Sequence, residues 1–299
     1  MQNLRTLARS IESVESLKSI ITTMKAHASA SIMQFKNAEK ASVEYRAVLD
    51  MVLDLILSFE DERPGAWSAD GGDTIHVVFG SELGLVGRFN ERIVSHFLKQ
   101  GMVNKGPKVI TAGQQAESYL EHEMKSAGNI SMPQTVDGIT LQVQRLLMLI
   151  EELRKDGKTS EIYLHYNRPL EGGGYVETSE RLYPIDMAVP EGRGTKWSSR
   201  SLPELFMDRD RLLSDLFRQY FFITIYRCFC QSLAAESESR LEAMTSAESN
   251  IDEKLEELGF NYMRERQNSI TEEINDVISG FKSIKAQGEN NRKSTGQGV

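Results

Sequence analysis

The sequence predicts two long helices, one at each end of the chain, that pair as an antiparallel coiled coil around a central Rossmann-like α/β domain. The first observation is that residues 1–63 and 204–258 contain neither glycine nor proline, the two residues that most often interrupt a helix. The second is that apolar residues recur every seven positions in both segments. The third is that strand-like and helix-like segments alternate between them, which favours a largely parallel sheet.

The first helix is predicted over residues 1–63. One seven-residue ladder, interrupted at Ser42, consists of Leu7, Val14, Ile21, Ala28, Phe35, Leu49 and Ile56. A companion ladder, which slips by one position after its second member, consists of Leu4, Ile11, Leu17, Met24, Ala38, Tyr45 and Val52. Sustained spacing of this kind is typical of helices that wrap around each other.

The last helix is predicted over residues 204–284, and residues 285–299 are predicted to be a disordered tail because they are polar. Its first ladder consists of Leu216, Ile223, Cys230, Met244, Ile251 and Leu258. The ladder beside it consists of Tyr220, Ala234, Leu241, Leu255 and Tyr262. Two unrelated amphipathic helices lying on a core are the alternative, and the length of the helices argues against it.

Charge indicates how the two helices pair. Residues 1–46 carry seven basic and four acidic side chains, a net of +3, whereas residues 236–257 carry eight acidic and two basic ones, a net of −6. Opposite charge on neighbouring helices favours pairing, although each exposed pair contributes only about 0–1 kcal/mol. We therefore expect an antiparallel arrangement that places Lys18 and Lys25 beside the acidic segment.

The middle of the chain, residues 74–189, is predicted to be the α/β domain. Four segments read as strands: 74–81, 108–112, 161–167 and 175–185. Three segments read as helices: 84–100, which becomes helical after Gly87, 114–124 and 139–155. Residues 67–73 and 190–203 are the predicted linkers to the long helices.

Composition excludes several classes of function. The net charge of −8 gives no support to nucleic-acid binding. Cys228 and Cys230 are two positions apart on a predicted helix, so they point to different faces and are expected to be buried, as in a reducing compartment. The opening residues lack the apolar core of a secretory signal, and the apolar run 220–230 is too short to span a bilayer, so we expect a soluble chain.

No catalytic or cofactor motif is present in the α/β segment. GSELGLVGRFN lies where phosphate-binding loops usually occur, but it matches neither the dinucleotide fingerprint nor the P-loop. Its glycines are better explained by a tight turn and close helix packing. The five histidines have no metal-ligand spacing. We therefore predict no catalytic residue, no metal and no cofactor.

Three segments resemble the gamma subunit family of F-type ATP synthases. IESVESLKSIITTMKAHASASI resembles the opening helix of that family, and GSELGLVGRFN resembles its segment at the first strand-to-helix turn. SLAAESESRLEAMTSAESNIDEKLEELGFNYMRERQNSITEEINDVISG is the strongest match. The resemblance covers the whole chain in order; its terminal motif is specific and its middle is weak.

The resemblance implies a non-catalytic rotor shaft. In this family an antiparallel coiled coil lies inside a hexamer of α and β subunits, and an α/β domain at its foot contacts the c-ring and the epsilon subunit. Rotation of the membrane c-ring is coupled to nucleotide turnover on the β subunits. For this chain the implied location is the cytoplasmic face of the bacterial plasma membrane, with membrane contact only through the c-ring and no nucleic-acid partner.

The resemblance also implies particular contact residues. Met24, Arg240, Arg266 and Gln267 match family positions that contact the α/β hexamer, including loops of the β subunits. Coiled-coil core is the alternative for Met24, and a solvated helix face is the alternative for Arg266 and Gln267. Leu205 and Phe206 match the foot region that faces the c-ring.

The chain departs from the family pattern at several positions: Lys25, His27, Ser31, Leu83, Val86 and Arg88. These differences indicate a divergent bacterial member, such as one from an alternative F-type ATPase, whose coupled ion, H⁺ or Na⁺, is selected in the c subunit. A coiled-coil scaffold or tether with an α/β head remains as an alternative function. An α/β enzyme with helical arms is a third, and the sequence offers it no catalytic residues.

Overall fold

The computed structural model describes residues 2–57, 73–100, 107–155, 159–185, 204 and 206–295, with side chains up to Lys282 except those of Gln2, Asp54 and Leu57. The chain divides into two compact units, which are treated separately below. The larger unit consists of residues 25–243, and the smaller unit consists of residues 1–24 together with 244–299. The predicted linkers at 67–72 and 190–203 lie outside the described residues.

The first element is helix α1, Gln2–Leu57, which is uninterrupted as the absence of glycine and proline predicts. In the larger unit the first ladder is buried at every seventh position, namely Ala28, Phe35, Ser42, Leu49 and Ile56. The companion ladder is wrong at Leu17 and Tyr45, which are exposed. Two helices touch along one narrow seam, so residues at its margin remain open to water.

The last helix, α5, extends over Arg209–Thr295. It begins five residues later than predicted because Asp208 lies at its N-terminus, where the carboxylate Oδ2 accepts a hydrogen bond from the backbone N–H of Arg211 at 3.4 Å. It also continues to Thr295, so residues 285–295 are helical and the predicted disordered tail is wrong over this range. Lysine, alanine and glutamine at 285–287 are good helix formers, and no proline follows them.

A five-stranded mixed sheet lies in the larger unit, with the strand order β3-β2-β1-β4-β5. The strands are β1 (Asp73–Phe79), β2 (Lys108–Ala112), β3 (Gly128–Ile130), β4 (Thr159–Pro169) and β5 (Tyr175–Tyr183). β1 pairs in parallel with β2 and β4, β2 pairs in parallel with β3, and only β4 and β5 are antiparallel. The largely parallel α/β sheet that the sequence predicts is therefore present.

Three shorter helices cover the sheet: α2 (Phe89–Lys99), α3 (Gln114–Leu120) and α4 (Val136–Arg154). Strand β3 was not predicted, because a three-residue strand of glycine, asparagine and isoleucine shows no alternation of apolar and polar residues. The start of α4 was predicted at residue 139, although the extended backbone of Thr135 lets the helix begin at Val136.

Both faces of the sheet are packed within the larger unit. On one face Val78 and Val109 contact apolar residues of α2 and α3. On the other face the core includes residues of α4 and the segment 225–234 of α5. The rings of Phe79 on β1 and Phe229 on α5 meet edge to face, 4.9 Å apart. Burial of Cys228 and Cys230 in this core agrees with the packing role expected from their spacing.

Contacts between α1 and α5 occur in each unit. In the larger unit Lys36 Nζ lies 2.6 Å from Glu238 Oε1, Gln231 donates to Glu39 at 2.6 Å, and Arg209 donates to the carbonyl of Ile56 at 3.2 Å. In the smaller unit Lys18 Nζ lies 2.7 Å from Asp252 Oδ1, and Thr22 donates to Glu248 at 3.4 Å. In both units the partner numbers on α5 fall as those on α1 rise.

Candidate functional site

The contacts within the loop between β1 and α2 are explained by close packing and hydrogen bonds of the loop itself. A Cβ atom on Gly80 would lie 2.4 Å from the Cβ of Ala116, so only glycine fits this close approach. Asn90 accepts from the backbone N–H of Ser81 and donates to its hydroxyl, both at 2.8 Å. Gly87 has the positive φ of 57° that glycine adopts at low cost, whereas Gly84 has open space around it. The turn-and-packing interpretation therefore holds for Gly80 and Gly87.

The outer side of the same loop is apolar. Leu83 and Leu85 are exposed, and Leu85 has a positive φ of 63°, which is uncommon for a branched apolar residue. These exposed leucines suit contact with another protein.

The structure brings together two of the histidines that have no metal-ligand spacing in the sequence. His76 Nδ1 on β1 lies 2.9 Å from His165 Nε2 on β4, and His165 Nδ1 lies 2.8 Å from the hydroxyl of Ser179. Burial lowers the pKa of His76 to about 4 and the pKa of His165 to about 3, so both rings are neutral near pH 7. Only the register of β1 on β4 reveals this pair.

A third histidine extends this chain towards the surface. His96 Nε2 on α2 lies 3.1 Å from the Ser179 hydroxyl and 2.8 Å from the side-chain nitrogen of Gln100. Across the part of the chain that the structure describes, no group of three or more His, Cys, Asp or Glu side chains is arranged to hold a metal ion. The histidines are thus a buried polar network between the sheet and α2.

Arg240, a predicted contact residue, is largely buried in the larger unit. Its Nη2 donates to Glu236 Oε1 at 2.6 Å, one helical turn earlier, and its side chain is only 11% exposed. Burial raises the pKa of the Glu236 carboxyl to about 7. The pair lines a small cavity together with residues of α1 and the loop before α4, including Ser31, Phe35 and Gln134. The predicted contact of Arg240 with a partner stays a prediction.

The other predicted contact residues lie in different surroundings. Arg266 and Gln267 are exposed neighbours on α5 in the smaller unit, and Met24 on α1 is half-buried there. Phe206, just before α5, is 94% exposed. Leu205 lies outside the described residues.

An apolar stripe runs along the exposed side of α5 in the smaller unit. Its members, which we call the α5 stripe, share one side of the helix: Phe260, Met263, Ile270, Ile274, Val277, Ile278 and Phe281. Gln267 falls on the same stripe by spacing. Val277 and Phe281 are 73% and 72% exposed. Large exposed apolar surfaces mark contact sites, so this stripe is the strongest candidate functional surface.

The sequence allowed this surface to be found only in part. The helical spacing of the stripe is visible in the sequence, but the seven-residue ladders predict only the seam of α5 that faces α1. The stripe lies on a different face of α5 from the seam residues Leu255, Leu258 and Tyr262, which are half-buried. Phe260 and Met263 were therefore not recognised as contact residues.

The candidate surface therefore belongs to an α5 helix that is uninterrupted over 87 residues. None of the described helices is long and apolar enough to cross a bilayer. Within the described residues the buried titratable groups, such as His76 and Glu236, are held among side chains of the chain itself. Fold and surface together define a chain that acts through protein contacts.

Comparison with known proteins assigns this chain to a protein family. The family model described as ATP synthase matches residues 3–284. The ATP synthase gamma chain of Pelagibacter ubique is 28% identical over 296 residues, which cover 95% of this chain and 100% of that protein. The gamma chain of Sinorhizobium medicae is 27% identical over 307 residues, with the same coverage of 95% and 100%.

Solved structures agree on the fold. A chain in the Euglena gracilis mitochondrial ATP synthase, in a structure of its OSCP, F1 and c-ring parts, aligns with a TM-score of 0.63 at 15% identity and covers 95% of each chain. A chain in the central stalk and c-ring structure of the Tetrahymena thermophila enzyme aligns with a TM-score of 0.57 at 17% identity, covering 76% of this chain and 99% of that one. The fold is that of central-stalk chains of rotary ATP synthases. This chain belongs to the ATP synthase gamma chain family.

Proposed function

We propose that this chain is the rotor shaft of an F-type ATP synthase and couples rotation of a membrane c-ring to nucleotide turnover on β subunits. The observation that carries this proposal is the α5 stripe on an unbroken helix, which leaves a row of large apolar side chains exposed. A surrounding sleeve of partner subunits would bury this row. The chain itself is a non-catalytic subunit; the nucleotide chemistry belongs to its partners.

The shaft is proposed to be an antiparallel coiled coil formed by α1 and α5. The ion pairs Lys18–Asp252 in the smaller unit and Lys36–Glu238 in the larger unit support this pairing, because both join the basic helix to the acidic one. Burial of every seventh residue from Ala28 to Ile56 supports a continuous seam in the larger unit. A stiff helical pair is the physical requirement for carrying torque.

The α and β subunits are the partners that we propose form the sleeve around α5. The exposure of Arg266 and Gln267 supports this role, and Gln267 falls on the same side of α5 as the stripe by its spacing. Arginine donates through a planar fork that suits carboxylates and carbonyls, and glutamine both donates and accepts. Met24 and Arg240 are proposed as weaker contributors, because both are partly covered by the chain's own helices.

The proposed foot contacts involve the residues before α5. Phe206 and Met207 are exposed apolar residues at that end of the helix, which supports contact of this region with the c-ring. Leu205 is included on the family resemblance alone. The epsilon subunit is proposed as a further partner, and the chain is proposed to lie at the cytoplasmic face of a bacterial plasma membrane, as a peripheral subunit held there through the c-ring.

Co-purification tests the proposal. A tagged copy of the full chain should retain α- and β-type ATPase subunits, and replacing Ile274 and Val277 with aspartate should abolish this retention by charging the α5 stripe. Replacing Lys254 and Glu257 with alanine is the matched control, since these exposed residues pair with each other on the same helix. Failure of the unmodified chain to retain either subunit type would contradict the proposed function.

A further inference from the structure

The carboxylate of Glu180 on β5 is shared by both long helices of the larger unit. Arg227 on α5 donates through Nη2 to both carboxylate oxygens, at 2.5 and 2.7 Å. Arg46 on α1 places its Nη1 3.7 Å from Oε1 of the same carboxylate. The hydroxyl of Tyr166 on β4 donates to Oε2 at 3.0 Å. One side chain of the sheet therefore contacts α1, α5 and the neighbouring strand.

The arginine from α1 is itself fixed against α5. Arg46 Nη1 donates to the hydroxyl of Thr224 at 2.9 Å, and Nη2 donates to the hydroxyl of Tyr220. Its guanidinium also lies 4.3 Å from the centre of the Tyr220 ring. Loss of the Glu180 charge would therefore disturb a contact that joins three elements.

Glu180 carries the negative charge that both guanidinium groups of this cluster share, and Arg46 has a second, more distant partner in Asp50, whose Oδ2 lies 3.9 Å from Arg46 Nε. Two guanidinium groups from different helices share one carboxylate, and the three side chains are each only 21–25% exposed. Removing one member of a partly buried charge pair leaves the remaining charge uncompensated and costs more than the pair contributes. Apolar contacts hold the sheet against α5 as well, but they have no direction, whereas these hydrogen bonds fix the relative position of the elements.

We propose that Glu180 is a positioning residue that locks the sheet to the α1–α5 pair, so that torque applied to the sheet side of the chain reaches the shaft without slippage. The inference rests on the proposed rotor function. Glu177, three positions earlier on β5, provides a matched comparison. Its carboxylate pairs with Arg92 of α2, so this ion pair stays within the α/β domain and contacts neither long helix.

The test uses the complete ATP synthase reconstituted in vesicles with this chain. ATP hydrolysis and ATP-driven ion uptake are measured on the same preparation for the wild type, Glu180→Gln and Glu177→Gln. We expect Glu180→Gln to keep ATP hydrolysis but to lower the number of ions moved per ATP by about twofold or more. The reason is that the loss of one charge-assisted contact changes the ratio of locked to unlocked molecules by roughly tenfold. Glu177→Gln should leave the ratio unchanged. An unchanged ratio in Glu180→Gln, or an equal fall in both variants, would overturn the inference.

Tyr166→Phe keeps the proposal testable if Glu180→Gln does not assemble. It removes one hydrogen bond to the carboxylate and leaves both arginines paired, so it should lower the ratio by a smaller amount. A ratio equal to that of the wild type in an assembled Tyr166→Phe complex would then overturn the inference. If the wild-type chain neither assembles with α and β subunits nor supports ion uptake, the proposed function itself fails.

Discussion

Several charged or titratable residues of this chain are buried beside partners of its own. Arg240 pairs with Glu236, Arg227 pairs with Glu180, and His76 meets His165. Buried groups of this kind stabilise a structure only when their partners are positioned, and the removal of one partner is costly. By contrast, Arg266 and Gln267 are exposed, as expected for residues that would meet a separate subunit.

At the residue scale, replacing Arg266 and Gln267 together with alanine should lower steady-state ATP turnover of the whole complex or weaken its assembly. Loss of a charge-assisted contact costs on the order of 1.5–3 kcal/mol, which is enough to disturb one rotational position without unfolding the helix. Assembly, ATP hydrolysis and ion pumping are the measurements. Alanine at Lys254 and Glu257 is the control. Wild-type values in all three for the double variant would remove these residues from the proposed contact.

The buried histidines predict acid sensitivity of the larger unit. Their folded pKa values, about 4 and about 3, lie below the usual 6.5, so the unfolded chain binds more protons and stability is lost as the pH falls below about 6.5. Between pH 8 and pH 5 the expected loss is about 2 kcal/mol per histidine. Glu236 acts in the opposite direction, because its raised pKa adds stability as the pH falls through about 7.

Comparison of variants isolates the histidine contribution. Urea unfolding of the isolated chain at pH 8 and pH 5 should show a smaller stability difference between the two pH values for His165→Gln than for the wild type. His122→Gln, which alters an exposed histidine, is the control and should behave as the wild type. An identical pH dependence in all three proteins would show that the buried pair does not titrate as described.

At the element scale, the two long helices were predictable because nothing in their sequence stops them. Strands β1, β2, β4 and β5 were also predicted, since each is rich in β-branched or aromatic residues. The short β3 and the helical extension of α5 to Thr295 were not predicted, because three-residue strands and polar helix ends carry no apolar period. Contacts across elements, such as His76 with His165 or Glu180 with Arg46, depend on tertiary register and have no sequence signal.

The end of α5 should be weakly protected in the free chain. Every described side chain from Ile270 to Lys282 is exposed, so this part of the helix has little packing within the chain. Isolated helical segments of this length are marginal in water. Hydrogen exchange over residues 270–282 should therefore be fast in the free subunit and slow in the assembled complex. Equal protection in both states would argue against a sleeve of partner subunits.

The pairing of α1 and α5 can be tested with introduced cysteines. The side chains of Lys18 and Asp252 meet at 2.7 Å, so cysteines at these two positions should be joined by a short bismaleimide crosslinker, which makes up for the length of the lost lysine side chain. The control pairs a cysteine at Lys18 with one at Glu273, further along the exposed end of α5, and should not crosslink. Efficient crosslinking of the control pair, with none at 18 and 252, would indicate a different pairing of the helices.

At the scale of the whole molecule, charge and apolar surface are divided between different parts of the sequence. The N-terminal helix is basic over residues 1–46 and the last helix is acidic over residues 236–257, while the exposed apolar stripe begins at Phe260. The family resemblance in the sequence is strongest in this last helix, whose residues contact the chain's own first helix and are proposed to contact the partner subunits as well.

Single-molecule rotation tests the central claim most directly. A hexamer of α and β subunits is fixed to a surface, the chain is assembled into it, and a gold particle is attached through Met148→Cys, an exposed position on α4. The native Cys228 and Cys230 are buried, so the particle should attach at the introduced cysteine. ATP should drive continuous rotation of the particle in one direction. Stable assembly and ATP hydrolysis without rotation would contradict the central claim.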